Sequence, residues 1–161
     1  MRHYYFIIAF SLFIPELLIS QNKADYIIAK EYYNKGDFNK AIHLFEDIFK
    51  KTKTQDIYNK YLDCLIKIQS YKDAEKLIKT FHKKNKSPSR FVDLGQLYLI
   101  KGEVEEGHRQ FELAIEKAKN SDRTLSSIGA LFYKKRLYTY ALKSYSIANE
   151  NSNNYTFQIA N

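Results

Sequence analysis

The sequence predicts an all-α protein, a solenoid of about four helix-turn-helix repeats. Three observations lead there. A small residue recurs at Ala41, Ala74, Gly107 and Ala141, so that one register returns every 33 or 34 positions. Apolar residues keep helical spacing on both sides of a short break, as in "YIIAKEYYNKG" followed by "DFNKAIHLFEDIFKK". The 161 residues include only 5 Gly and 2 Pro, so helices meet few breakers and long flexible linkers are not expected.

The chain opens with a leader. Arg2 precedes an apolar run from Tyr4 to Ile14, and Ser20 stands just before polar "QNKAD". This is the layout of a secretory signal peptide over residues 1–20, too short for a comfortable bilayer span and carrying Glu16. The rival expectation is an uncleaved, membrane-tethered start. A cut before Gln21 resembles those of exported proteins in Bacteroidetes-type bacteria, which implies a periplasmic or outer-membrane-associated location. With no Cys near the cut, a lipid anchor is not expected.

Four units follow, at residues 22–54, 55–87, 88–121 and 122–155. Four residues after each small position come Phe45, Ile78, Phe111 and Tyr145; nine before come Tyr32, Leu65, Tyr98 and Phe132. The first and third units break at Lys35-Gly36-Asp37 and Lys101-Gly102-Glu103, where Gly suits a helix C-cap and the acid suits the next helix start. The second unit departs most, with Gln69 at the turn. Pro88 in "KSPSR" opens the third, where proline fits a first helical turn. After the fourth unit, "NENSNN" reads as a polar turn, with residues 156–161 beginning a further helix or a cap.

The period and the residue set resemble the tetratricopeptide repeat. That resemblance covers residues 22–155 and implies a right-handed superhelical solenoid. It also implies a concave groove, lined by the first helix of each repeat, that binds a peptide or helix of a partner protein. Carried over by offset, the groove would draw Tyr26, Lys30, Tyr33 and Asn34 from the first unit and Asp56, Asn59, Asp63 and Ile66 from the second. The third would supply Val92, Gln96, Leu99 and Ile100, the fourth Arg123 and Tyr133. Tyr26, Tyr33 and Tyr133 are the expected anchors, since tyrosine offers large area with a hydroxyl. The paired Lys and Asn clamp with which some relatives hold a terminal carboxylate is not evident, because Asp56 and Asp63 make the second unit acidic.

Other chemistries find little footing. The formal charge is +8, but the densest basic runs, at 50–53, 83–86 and 134–136, fall at predicted helix ends, where cations favour the dipole; no nucleic-acid partner is expected. His43, His82 and His108 sit in three different second helices, none with a ligand at helical spacing, so no metal is expected. Glu103, Glu105 and Glu106 stand at a helix start, where capping explains them. No phosphate loop or activated nucleophile is present, and no catalytic residue, cofactor or small-molecule substrate is expected. Cys64, the single cysteine, lies in the apolar run "YLDCLIKI" and reads as a buried hydrophobe. The function expected is therefore a non-enzymatic scaffold of the bacterial cell envelope; the second reading is the extracytoplasmic input region of a longer sensory or regulatory protein.

Overall fold

The computed structural model describes residues 23–83 and 87–159. The expected leader, residues 1–20, lies outside them. The chain divides into two compact units, residues 1–70 and 71–161. Every described element is helical. The first unit contains α1 (23–34), α2 (Phe38–Thr52) and α3 (Gln55–Lys67). The second contains α4 (Tyr71–His82), α5 (Ser89–Lys101), α6 (Val104–Ala118), α7 (Asp122–Lys134) and α8 (Tyr138–Ile159).

One turn is built four times. The residue at 36, 69, 102 and 136 takes a positive φ, of 79° at Gly36, 60° at Gln69, 83° at Gly102 and 62° at Arg136. Its amide donates to the carbonyl three residues back, Gly36 to Tyr33, Gln69 to Ile66, Gly102 to Leu99 and Arg136 to Tyr133. The next amide donates five residues back, Asp37 to Tyr32, Ser70 to Leu65, Glu103 to Tyr98 and Leu137 to Phe132. This pair of bonds is the Schellman motif, which satisfies carbonyls that the helix end would leave open. The turn thus forms at Gln69 and Arg136 without glycine, at the cost of holding a side chain in the left-handed region.

Helix starts are set locally. Asp37 caps α2 by accepting from the amide of Lys40, and Ser121 caps α7 by accepting from that of Thr124. Pro88 stands immediately before α5, where its missing amide costs nothing. At the far end the structure corrects the expected turn. Helix α8 continues unbroken through Asn151 to Ile159, because "NENSNN" contains neither Gly nor Pro and Ser and Asn cost a helix only a few tenths of a kcal/mol each.

The first unit packs α2 against α3 around Ala41, Phe45, Ile57, Tyr58 and Leu65. Cys64 is buried there and free, as expected, and desolvation pushes its thiol up to about 12. In the second unit each helix packs on the next, from α4 to α8. The ring of Phe111 sits edge-on to Phe132 at 5.5 Å and tilted on Tyr140 at 4.9 Å, joining α6, α7 and α8. Small residues permit the closest crossing. A Cβ on Gly95 of α5 would lie 2.3 Å from Cε1 of Phe111 and 2.8 Å from the Gly107 carbonyl oxygen of α6.

Candidate functional site

Within the first unit, α1 and α3 are tied by two parallel bonds. The Tyr26 hydroxyl donates to Oδ2 of Asp56 and the Tyr33 hydroxyl to Oδ2 of Asp63, both at 2.7 Å. Each carboxylate disfavours the phenolate by holding its proton. The hydrogen bond to Asp56 raises the Tyr26 pKa, and that to Asp63, helped by burial, raises Tyr33 to about 12. Tyr33 is half-buried, edge-on to Phe38 at 5.7 Å and Phe45 at 6.2 Å, and Lys60 lies 5.3 Å from its ring centroid. Tyr26 meets Phe45 at 6.5 Å. These two tyrosines thus join first helices of neighbouring repeats while leaving a ring edge at the surface.

Around this pair the first unit exposes Lys30, Asn34 and Asn59, with Asp63 and Ile66 half-buried. Asn59 accepts from the Gln55 side chain at 3.0 Å. The structure therefore brings Tyr26, Tyr33, Asn59 and Asp63 together on one pair of first helices.

In the second unit α5 and α7 are the paired first helices. Lys135, just after α7, sits 3.1 Å from Oδ1 of Asp93 on α5 and donates to the Gln96 side chain. Oδ2 of Asp93 lies 3.3 Å from Nε2 of His82 on α4. A largely buried polar chain thus links α4, α5 and α7, with Gln96 at its outer end. Neither Asp93 nor Lys135 was singled out in the sequence. Its trace was there: Asp93 interrupts the apolar run "FVDLG", and His82 takes the register that holds Phe49 and Ile115 in other repeats.

Two groove expectations in this unit need correction. Val92 is fully buried in the core, and Leu99 packs against it with its side chain 2.7 Å from where a Gly107 Cβ would stand. The offset that puts Tyr26 near a surface puts Val92 inside, and Leu99, half-buried as Tyr33 is, turns its apolar side chain onto α6 instead of presenting a polar edge. Arg123 and Ile100 are exposed. Tyr133 is 64% exposed, its ring 5.6 Å from that of Tyr138.

Among the described residues no group of three or more His, Cys, Asp or Glu is placed to hold a metal ion, and no helix is long and apolar enough to cross a membrane. Helix α4 carries a lysine-rich flank with Lys72, Lys76 and Lys79, continued by Lys83 just past its end, a charged surface and not the apolar lining of a small-molecule pocket.

Residues 11–81 match the family described as anaphase-promoting complex, cyclosome, subunit 3. No curated protein matches the chain. Among solved structures, the type III secretion translocator chaperone SycD of Yersinia enterocolitica is 18% identical with a TM-score of 0.52, over 83% of this chain and 95% of that one. MamA is 20% identical with a TM-score of 0.47, over 84% of this chain and 80% of that one. A MamA from Desulfovibrio magneticus RS-1 is 17% identical with a TM-score of 0.46, over 83% and 76%. The likeness to SycD extends to the fold, an all-α stack of helical hairpins.

Proposed function

We propose that the chain, an all-α stack of helical hairpins like that of SycD, is a tetratricopeptide-repeat protein and a non-enzymatic scaffold of the bacterial cell envelope that holds a peptide or helix of a partner protein on its first-helix face. One observation carries this reading. Helices α1 and α3 are cross-linked by the Tyr26–Asp56 and Tyr33–Asp63 bonds into a stiff surface that presents aromatic edges among the exposed Lys30, Asn34 and Asn59. A preformed face of this kind loses little conformational entropy on binding, which is how rigid aromatic anchors reach useful affinity. In the second unit the corresponding face offers Gln96, Arg123 and Tyr133. The export reading rests on the leader, with its basic start, short apolar centre and Ser20.

The test uses the purified chain as bait for an envelope fraction of the source cells. One variant carries Asn34→Arg and Asn59→Arg on the first-helix face, the other Lys72→Glu and Lys76→Glu on α4. All four positions are exposed, so both variants should keep the parent's helicity. Loss of a specific captured protein with the first variant alone supports the proposal. Loss with the α4 variant alone would place binding on the opposite kind of surface and overturn it.

A further inference from the structure

The solvent-facing stripe of a second helix can be followed from repeat to repeat. Counted from the small residue, at two before it and at two, five and nine after it, the stripe reads Asn39, His43, Glu46 and Lys50 on α2. On α6 it reads Glu105, Arg109, Glu112 and Glu116, and on α8 Thr139, Lys143, Ser146 and Glu150. On α4 and at its exit it is lysine throughout: Lys72, Lys76, Lys79 and Lys83, all exposed. Steps of four, three and four residues hold these within about 60° of arc along about 16 Å of helix.

Folding makes little use of this charge. Lysines at three- and four-residue spacing repel one another along a helix, and Lys72 stands in the first turn, at the end that favours acid. On α2, α6 and α8, cations of this surface are answered by acids: Lys50 by Glu46 and Asp47, Arg109 by Glu106, Lys143 by Glu112. On α4 a single acid, Glu75, lies among the lysines. It pairs with Lys79 and accepts from the Tyr98 hydroxyl of α5 at 3.4 Å, which draws it half inward. Asp73 stands on the flank, about 100° round the helix from Lys72.

We propose that this face of α4 is a peripheral docking surface for a membrane rich in anionic phospholipid. Its lining of Lys72, Glu75, Lys76, Lys79, Thr80 and Lys83 holds no aromatic ring to anchor a peptide or stack a base. Nor does it hold a guanidinium fork to grip one phosphate bidentately. It offers charge alone, on long flexible stems, and a fluid sheet of headgroups can gather against such groups without a shaped pocket. The glutamates of the next second helix, α6, confine the basic surface to one helix, too narrow to follow a nucleic-acid backbone. The apolar side of α4, with Ala74, Leu77 and Ile78, is buried in the fold, so the helix lies on the headgroups and the attraction is electrostatic.

The experiment is co-sedimentation of the purified chain with vesicles of phosphatidylcholine alone, or of phosphatidylcholine and phosphatidylglycerol in equal parts. The parent should bind the second kind and not the first, and should be released as salt rises. Lys72→Glu with Lys76→Glu should weaken binding at least about tenfold. Lys53→Glu with Lys119→Glu, at exposed positions elsewhere, changes the net charge equally and should weaken it less than about threefold. Circular dichroism checks that the variants keep the parent's helicity, and Lys72→Gln with Lys76→Gln reports on the same face should the first pair lose it. The assay contains no partner protein, so its outcome is separate from capture on the first-helix face. A parent that ignores the anionic vesicles, an α4 variant that binds like the parent, or equal losses in the two Lys→Glu pairs would each overturn the inference. So would α4-dependent binding to duplex DNA or polyglutamate that is tighter than binding to the vesicles.

Discussion

Gly95 and Gly129 hold the same repeat register, 34 residues apart, yet the same substitution to alanine should move stability in opposite directions. In a helix interior alanine is favoured over glycine by about 1 kcal/mol, and both sites gain that. The difference lies in what the new methyl meets. At Gly95 it would stand 2.3 Å from the buried Phe111 ring and 2.8 Å from the Gly107 carbonyl oxygen, so a packed ring and a helix backbone must both retreat. Overpacking of this kind costs about 1–3 kcal/mol, and the upper half applies because neither neighbour is free to move. The net is a loss of about 1–2 kcal/mol. At Gly129 the contacts, at 2.9 to 3.1 Å, are all to the ring of Tyr145, which is partly exposed and can swing toward solvent. There the helix gain should survive, at about 0.5–1 kcal/mol. With about 2–4 °C per kcal/mol for a chain of this size, Tm followed by circular dichroism at 222 nm should fall by about 2–8 °C for Gly95→Ala and rise by about 1–4 °C for Gly129→Ala. Shifts of the same sign and size would refute the reasoning, since helix propensity alone would then account for both.

The repeated turn makes a second contrast. Gln69→Gly and Arg136→Gly should each raise stability by about 1 kcal/mol by relieving a left-handed side chain, while Gly36→Ala and Gly102→Ala should lower it by a similar amount; chemical unfolding midpoints decide. Tyr33 is stabilised in its protonated form, so its contribution is complete below the ordinary phenol pKa near 10 and fades as pH rises toward about 12. Tyr33→Phe should abolish that alkaline loss, and absorbance titration should show one late-titrating phenol fewer. Tyr33→Ala should cost about 1–2 kcal/mol through lost ring packing, whereas Tyr133→Ala should change stability by less than about 0.5 kcal/mol, both read from urea midpoints.

Periodicity is a property of the backbone and the core, so those were the parts legible in the sequence. The small positions Ala41, Ala74, Gly107 and Ala141 are all buried, and the turn recurs even at Gln69, where the residue type argued least for it. The face was harder to read. The same offset places Tyr33 at a surface and Leu99 against Gly107, because exposure depends on what the neighbouring helices bring and not on register alone. The partners of Tyr26 and Tyr33 stand 30 residues on, out of step with the repeat, and the Asp93 chain draws on α4, α5 and α7 together. Such contacts join positions that no single period relates. The turn expected after Glu150 failed for a simpler reason: polarity does not stop a helix where no Gly or Pro does.

The most direct test of the binding account is site-specific photo-crosslinking in the source cells, with the reactive side chain placed at Asn59 or Tyr133 on the first-helix faces, and at Lys72 or Lys76 on α4. The account predicts a discrete crosslinked protein from the first pair and none from the second. Crosslinks of equal strength from all four positions, or from the α4 pair alone, would contradict it.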